Sequence, residues 1–189
     1  YVKVPTIEKI KIRFDSYYFG GDPQSESKFW KGFIKNERLL ISKDFFKSLD
    51  LLNIVWGFVS GAEHSSAKFI LENKLGLKKP PLIAMGDAPE KPNPDGFLIL
   101  LDRLSQNNLK NIEVPIGYVG DTVADVLTIK NAKNNYPGLE FISYALSPPH
   151  LHLKENYSKR IVYEKNLKRN GADIILKDTS DVINFVKLW

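Results

Sequence analysis

The sequence predicts an α/β protein with helices on both faces of a mainly parallel sheet. Two observations carry this: from Asn53 onward short β-rich runs alternate with helical segments, and several of those runs end in polar or glycine-containing turns. With 189 residues, 43% of them hydrophobic and 12% aromatic, the chain can bury one substantial core.

Taken in order, residues 54–59 read as a strand and 62–75 as the helix behind it. Residues 82–85 form a second short strand, followed by a helix over 94–105 with Pro94 acceptable in its first turn. A third strand over 116–119 leads into a helix from Thr122 to about Asn134. Residues 141–145 and 174–176 complete the strands, and a last helix covers 180–188. The opening stretch differs. Residues 4–18 are helical in pattern, Gly20-Gly21-Asp22-Pro23 and 25–27 form a loop, and 29–36 lead into an apolar helix over 39–51. Residues 1–35 therefore read as the tail of a separate helical element that rejoins the sheet domain near Gly32.

Composition narrows the function classes. The net charge of +5 and pI of 9.2 are modest for a polyanion binder. The densest basic stretch, 154–169, interleaves Lys154, Lys159, Arg160, Lys165, Lys168 and Arg169 with Glu155 and Glu164, the pattern of a solvated helix face. No aromatic stacking platform accompanies it, so a nucleic-acid partner is not expected. The longest apolar runs are too short for a bilayer and no apolar signal segment opens the chain, which makes a cytoplasmic location the default and a membrane partner unexpected. Absence of cysteine excludes disulfides and thiolate ligands, leaving oxygen or histidine ligands and hard cations. Tyr1 in place of an initiating methionine suggests a segment upstream.

Three segments lie just beyond predicted strand ends, where open α/β sheets build their binding crevice. Phe58-Val59-Ser60-Gly61 offers a hydroxyl and a glycine turn ahead of a helix N-terminus. Glu90-Lys91-Pro92-Asn93-Pro94 presents a lysine before a proline-stiffened helix start. Gly120-Asp121-Thr122-Val123-Ala124-Asp125 sets one carboxylate at a strand tip and a second four residues on, on the same face of the first helical turn. Each has a plainer reading: Ser60 as a helix cap, Lys91 as a solvent-facing lysine, Asp121 as an N-cap. Their order, and their spacing of about 30 residues, favour one site in which two hard oxygen ligands sit beside a phosphate-neutralising lysine.

Strand-Ser-Gly, Lys-Pro-x-Pro and Gly-Asp-Thr-x-x-Asp resemble the second, third and fourth signature motifs of haloacid dehalogenase-like hydrolases, from about Leu39 to the end of the chain. The resemblance implies a Rossmann-like three-layer sandwich, with Ser60, Gly61 and Lys91 binding the substrate phosphate and Asp121 and Asp125 holding Mg²⁺. Lys91 and Asp121 would then be the catalytic pair. The run Gly32 to Leu40 is similar to the segment that returns from a helical cap to the core in the subgroup with a cap inserted after the first strand. It makes residues 1–35 the C-terminal part of that cap and 36–189 the hydrolase core.

The pattern has one departure. Members begin with a strand ending in Asp-x-Asp, whose first aspartate forms an aspartyl-phosphate and whose second acts as general acid and base. No Asp-x-Asp occurs in this sequence, and Asp15, the upstream candidate, sits in a helical pattern with no second aspartate two positions on. The expectation is a Mg²⁺-dependent phosphatase of small phosphate monoesters, phosphoglycolate- or sugar-phosphate-like, whose nucleophile lies upstream of Tyr1 and whose 189 residues alone are inactive. In the family's sheet the absent strand lies between those carrying Ser60 and Asp121, so the strands ending at Val59 and Val119 should not pair. A non-catalytic binding protein or remnant on the same scaffold is the alternative. His64 reads as a surface residue near the site, His150 and His152 as exposed histidines of a proline-rich loop, and Trp30, Trp56 and Trp189 as core or cap-interface residues.

Overall fold

The computed structural model describes residues 4–109 and 112–187, so Trp189 lies outside the described residues. Five parallel strands alternate with helices. The helices are α1 (Ile7–Tyr18), α2 (Lys43–Leu51), α3 (His64–Lys68), α4 (Asp95–Leu104), α5 (Val123–Asn135), α6 (Tyr157–Asn170) and α7 (Val182–Val186). The strands are β1 (Phe58–Val59), β2 (Leu82–Ile83), β3 (Ile116–Gly120), β4 (Phe141–Leu146) and β5 (Ile174–Leu176). They form a two-stranded sheet, β1-β2, and a three-stranded sheet, β3-β4-β5, with every pair parallel.

The alternation of side chains along β4 explains the layering. Ile142, Tyr144 and Leu146 pack into a core with Phe46 and Leu49 of α2, Leu71 and Leu75 behind α3, and Val182 and Val186 of α7. Phe141 and Ala145 face the opposite way, toward Phe97 of α4, Ile129 of α5 and Leu167 of α6. A strand apolar on both faces is what a parallel sheet covered by helices on both sides requires.

The two sheets occupy one layer. Phe58 of β1 and Val119 of β3 both pack against the first core, and Val59 and Tyr118 both pack against the second. No hydrogen-bonded ladder joins β1 to β3 among the described residues, as expected for the strands ending at Val59 and Val119.

Several elements are shorter than the pattern predicts, each for a local reason. β1 keeps only two of the six residues in 54–59, because Asn53 takes φ 57° and the Ile54 amide donates to Leu49 O at 2.9 Å, tying the start of the run to the end of α2. α2 begins at Lys43 rather than Leu39, with Ser42 extended as its N-cap and Leu40 left 61% exposed. The helix after β1 starts at His64 and passes into a π-helical turn, Phe69–Lys74, whose exit is marked by the Leu75 amide donating to Ile70 O at 2.9 Å. The last helix divides into a 3₁₀ turn, Thr179–Asp181, and α7.

At the N-terminal end, Phe19, Trp30 and Ile34 bury themselves against Phe69, which docks the opening segment onto the π turn. α1 itself buries none of its residues. Trp56 packs beside the first core and donates its indole N–H to Asp50 Oδ1 at 2.8 Å.

Leu167 is fully buried between Val126, Ala145 and Ala172, so Leu167→Ala should lower unfolding stability by about 2–5 kcal/mol in urea titrations. A loss below about 1 kcal/mol would contradict the packing of α6 onto β4 and α5.

Candidate active site

The three polar segments emerge together at the C-terminal ends of β1, β2 and β3. After β1, the Ser60 amide extends the ladder to Ile83 O at 2.8 Å, and the Ser60 hydroxyl accepts from the Ala62 amide at 3.1 Å. This turn leaves Gly61 exposed, with open space where a side chain would stand. His64, the first residue of α3, is also exposed.

Lys91 sits on the loop between β2 and α4, joined to Pro92 by a cis peptide bond. Its ammonium donates to Asp125 Oδ1 at 2.7 Å, to the Tyr118 hydroxyl at 3.2 Å and, at the long limit of 3.4 Å, to Val59 O. One lysine thus touches the tip of β1, the middle of β3 and the first turn of α5. The loop is held from the other side by Asn131 of α5, whose amide donates to Pro92 O at 2.9 Å.

The turn after β3 depends on a close approach. A Cβ on Gly120 would stand 2.4 Å from the Asp125 Cβ, so only glycine lets the first turn of α5 fold back against the strand tip. Thr122 and Asp125 then form a capping box: the Thr122 hydroxyl accepts from the Asp125 amide at 3.1 Å, and the Thr122 amide donates to Asp125 Oδ2 at 3.0 Å. The Thr122 hydroxyl lies 2.6 Å from the same oxygen.

Asp125 is 4% exposed, and its oxygens receive Lys91 and Tyr118 on Oδ1 and two Thr122 groups on Oδ2. That exhausts the acceptor capacity of a carboxylate. Burial opposes its charge, but hydrogen bonds from Lys91 and Thr122, the positive charge of Lys91 and the Tyr118 hydroxyl outweigh it, so Asp125 titrates below its usual value. Asp121 is placed differently. Partial burial and the neighbouring charge of Asp125 raise its carboxyl above the usual range, against the smaller pull of a backbone hydrogen bond and Lys91. A carboxylate whose ionised form is disfavoured gains from a nearby cation, and oxygen donors of this kind suit a hard divalent ion. No group of three or more His, Cys, Asp or Glu able to hold a metal occurs among the described residues, and Asp121 is the carboxylate of this turn that could offer oxygen to a cation.

The structure brings Lys91 and Asp125 into direct contact, sets Ser60 next to the carbonyl that Lys91 touches, and leaves Asp121 within electrostatic reach of the pair. Tyr118 is one of two residues that sequence reasoning missed. It lies two positions before Gly120 and so on the same face of β3, the face that α5 covers; that spacing was the available signal. Burial, the Asp125 charge and its hydrogen bond to Asp125 push the Tyr118 phenol far up, which keeps it a neutral donor. Tyr163 of α6 was also missed; it donates to Asp121 O at 2.6 Å from 42 residues away.

His150 and His152 fall outside this cluster and are exposed, with His152 Nε2 3.1 Å from Ser147 O. Most of the basic residues on α6 are exposed as well. No helix among the described residues is long and apolar enough to cross a membrane.

Family models and curated protein sequences give no match to this chain. Among solved structures it is similar to a phosphonoacetaldehyde hydrolase like protein from Oleispira antarctica, with a TM-score of 0.65 and 18% sequence identity, covering 98% of this chain and 67% of that chain. The likeness shows the fold: an α/β, Rossmann-like arrangement shared along nearly the whole of this chain.

The low titration of Asp125 fixes the sign of a pH effect. Its contribution to stability is fully present above the carboxyl's unfolded value near 3.9 and is lost as pH falls through the lower folded value. Asp125→Asn should therefore cost about 3 kcal/mol at neutral pH, and the difference from wild type should shrink below about pH 4 in denaturant titrations. A difference that grew on acidification would overturn the assignment.

Proposed function

We propose that this chain is the body of a haloacid dehalogenase-like hydrolase that acts on small phosphate monoesters with Mg²⁺. The observation that carries the reading is the convergence of Ser60, Lys91 and the Asp121–Asp125 turn at the strand tips, with Lys91 Nζ 2.7 Å from Asp125 Oδ1. The phosphonoacetaldehyde hydrolase like neighbour shares this fold, which supports a hydrolase scaffold.

Charge balance favours the metal. Lys91 offsets one of the two carboxylates, leaving one negative charge, to which a phosphate monoester adds up to two more. A divalent cation beside Asp121 would supply the compensating charge and polarise the phosphoryl oxygens. Asp121 would be its main protein ligand, and Asp125, committed to Lys91, Tyr118 and Thr122, would bear on it through the field of the site. Ser60 and the open turn at Gly61 would receive phosphate oxygens, and Lys91 would neutralise charge on the phosphate and on the attacking group.

In this reading the attacking carboxylate lies on an extended segment outside these 189 residues, running between β1 and β3. Two features support it: the sequence has no Asp-x-Asp, and the facing edges of β1 and β3 are not paired with each other. Residues 1–35 would be the part of a helical cap that returns to the core, and the cytoplasm the expected compartment.

The test is hydrolysis of p-nitrophenyl phosphate by the full-length protein in the presence and absence of Mg²⁺. Asp121→Asn and Lys91→Ala should each lower turnover by about 10²-fold or more. Undiminished turnover in Asp121→Asn would remove Asp121 from the metal site. Full-length protein that binds phosphate but never hydrolyses the ester would favour a non-catalytic binding protein.

A further inference from the structure

α6 lies outside the three segments that define the site, yet it reaches into it. Its Tyr163 packs against the buried cluster that includes Val126 of α5 and Leu167, and its hydroxyl donates to the Asp121 carbonyl at 2.6 Å. The helix that delivers this hydroxyl is itself anchored at the very next residue. Glu164 accepts from the buried Ser147 hydroxyl at 3.0 Å and pairs with Arg160 at 3.5 Å, and Arg160 approaches His152 Nδ1 at 3.4 Å. Ser147 directly follows β4, so α6 is tied to the sheet at the same end as the site.

Asp121 needs such support. Gly120 before it carries no side chain, and the capping box secures Thr122 and Asp125 while leaving the Asp121 carbonyl to an outside donor. A peptide unit free to rotate at this point would swing the carboxylate of the same residue.

We propose that Tyr163 is a positioning residue for Asp121: its hydroxyl fixes the Asp121 peptide unit and with it the direction in which the carboxylate meets a divalent cation. The proposal rests on the reading of Asp121 as the principal metal carboxylate, and its test separates the two. Tyr163→Phe keeps the ring and its packing and removes only the hydrogen bond.

Mn²⁺ is the probe, its binding to the full-length protein followed by electron paramagnetic resonance, with amide hydrogen exchange at Asp121 and Thr122 as a second readout. Tyr163→Phe should weaken Mn²⁺ binding about 3- to 10-fold, the worth of one neutral hydrogen bond, and speed exchange at those two amides. Asp121→Asn should abolish binding, and Tyr157→Phe, on the same helix with its ring against Arg160, should change neither. Wild-type affinity and exchange in Tyr163→Phe, with binding lost in Asp121→Asn, would overturn the role of Tyr163 and leave the metal reading standing. Unaltered binding in Asp121→Asn, or no Mn²⁺ binding by the wild type, would bring down the metal reading and this proposal with it. If Leu167→Val, matched to Tyr163→Phe in stability loss by urea titration, weakened Mn²⁺ binding equally, Tyr163 would be merely structural and the proposal wrong.

Discussion

The ion pair between Lys91 and Asp125 is the contact on which the arrangement of the site depends. It joins the loop after β2 to the first turn of α5, and the long contact of Lys91 to Val59 O brings in the tip of β1. With side chains only 24% and 6% exposed, the two charges are worth keeping only if their remaining polar atoms are also satisfied. Tyr118 and Thr122 supply those partners. Removal of either charge would strand the other in a poorly solvated position.

This clasp matters more because the strands beneath it are not continuous. β1 and β3 share both apolar cores without sharing a ladder, so side-chain packing and Lys91 hold the two half-sheets in register where backbone hydrogen bonds do not. Side-chain packing is less directional than a ladder, which makes the position of the Lys91 ammonium sensitive to its hydrogen-bond partners. The division of labour between the carboxylates has the same origin. Asp125 faces inward, its oxygens taken up by Lys91, Tyr118 and Thr122, whereas Asp121 stands at the more exposed end of the turn.

Much of this was legible in the sequence because the relevant signals are local. Gly120 through Asp125 encodes its own turn, and the strands over 116–119, 141–145 and 174–176 declare themselves through short β-rich runs, the one over 141–145 being buried or half-buried along its whole length. Legibility failed where distant residues decide. The strand over 54–59 shrank to Phe58–Val59 because the end of α2 captures Ile54, and the helix after it adopts a π turn that no periodicity announces. The partners of Asp125 lie 34 residues away at Lys91 and seven away at Tyr118, and the tether of Asp121 comes from Tyr163. Residue type and spacing suggested which groups belong to the site, but only the packing of α5 and α6 shows which carboxylate is spoken for.

A double-mutant cycle on Lys91 and Asp125 tests the central claim most directly, with unfolding free energies of wild type, Lys91→Met, Asp125→Asn and the double variant measured at neutral pH. A shielded pair that closes the site should show a coupling of about 1–3 kcal/mol, the double variant being less damaged than the two single losses added together. Strict additivity would mean that the two side chains do not interact in solution, and the single site drawn from three strand tips would lose the contact that joins it.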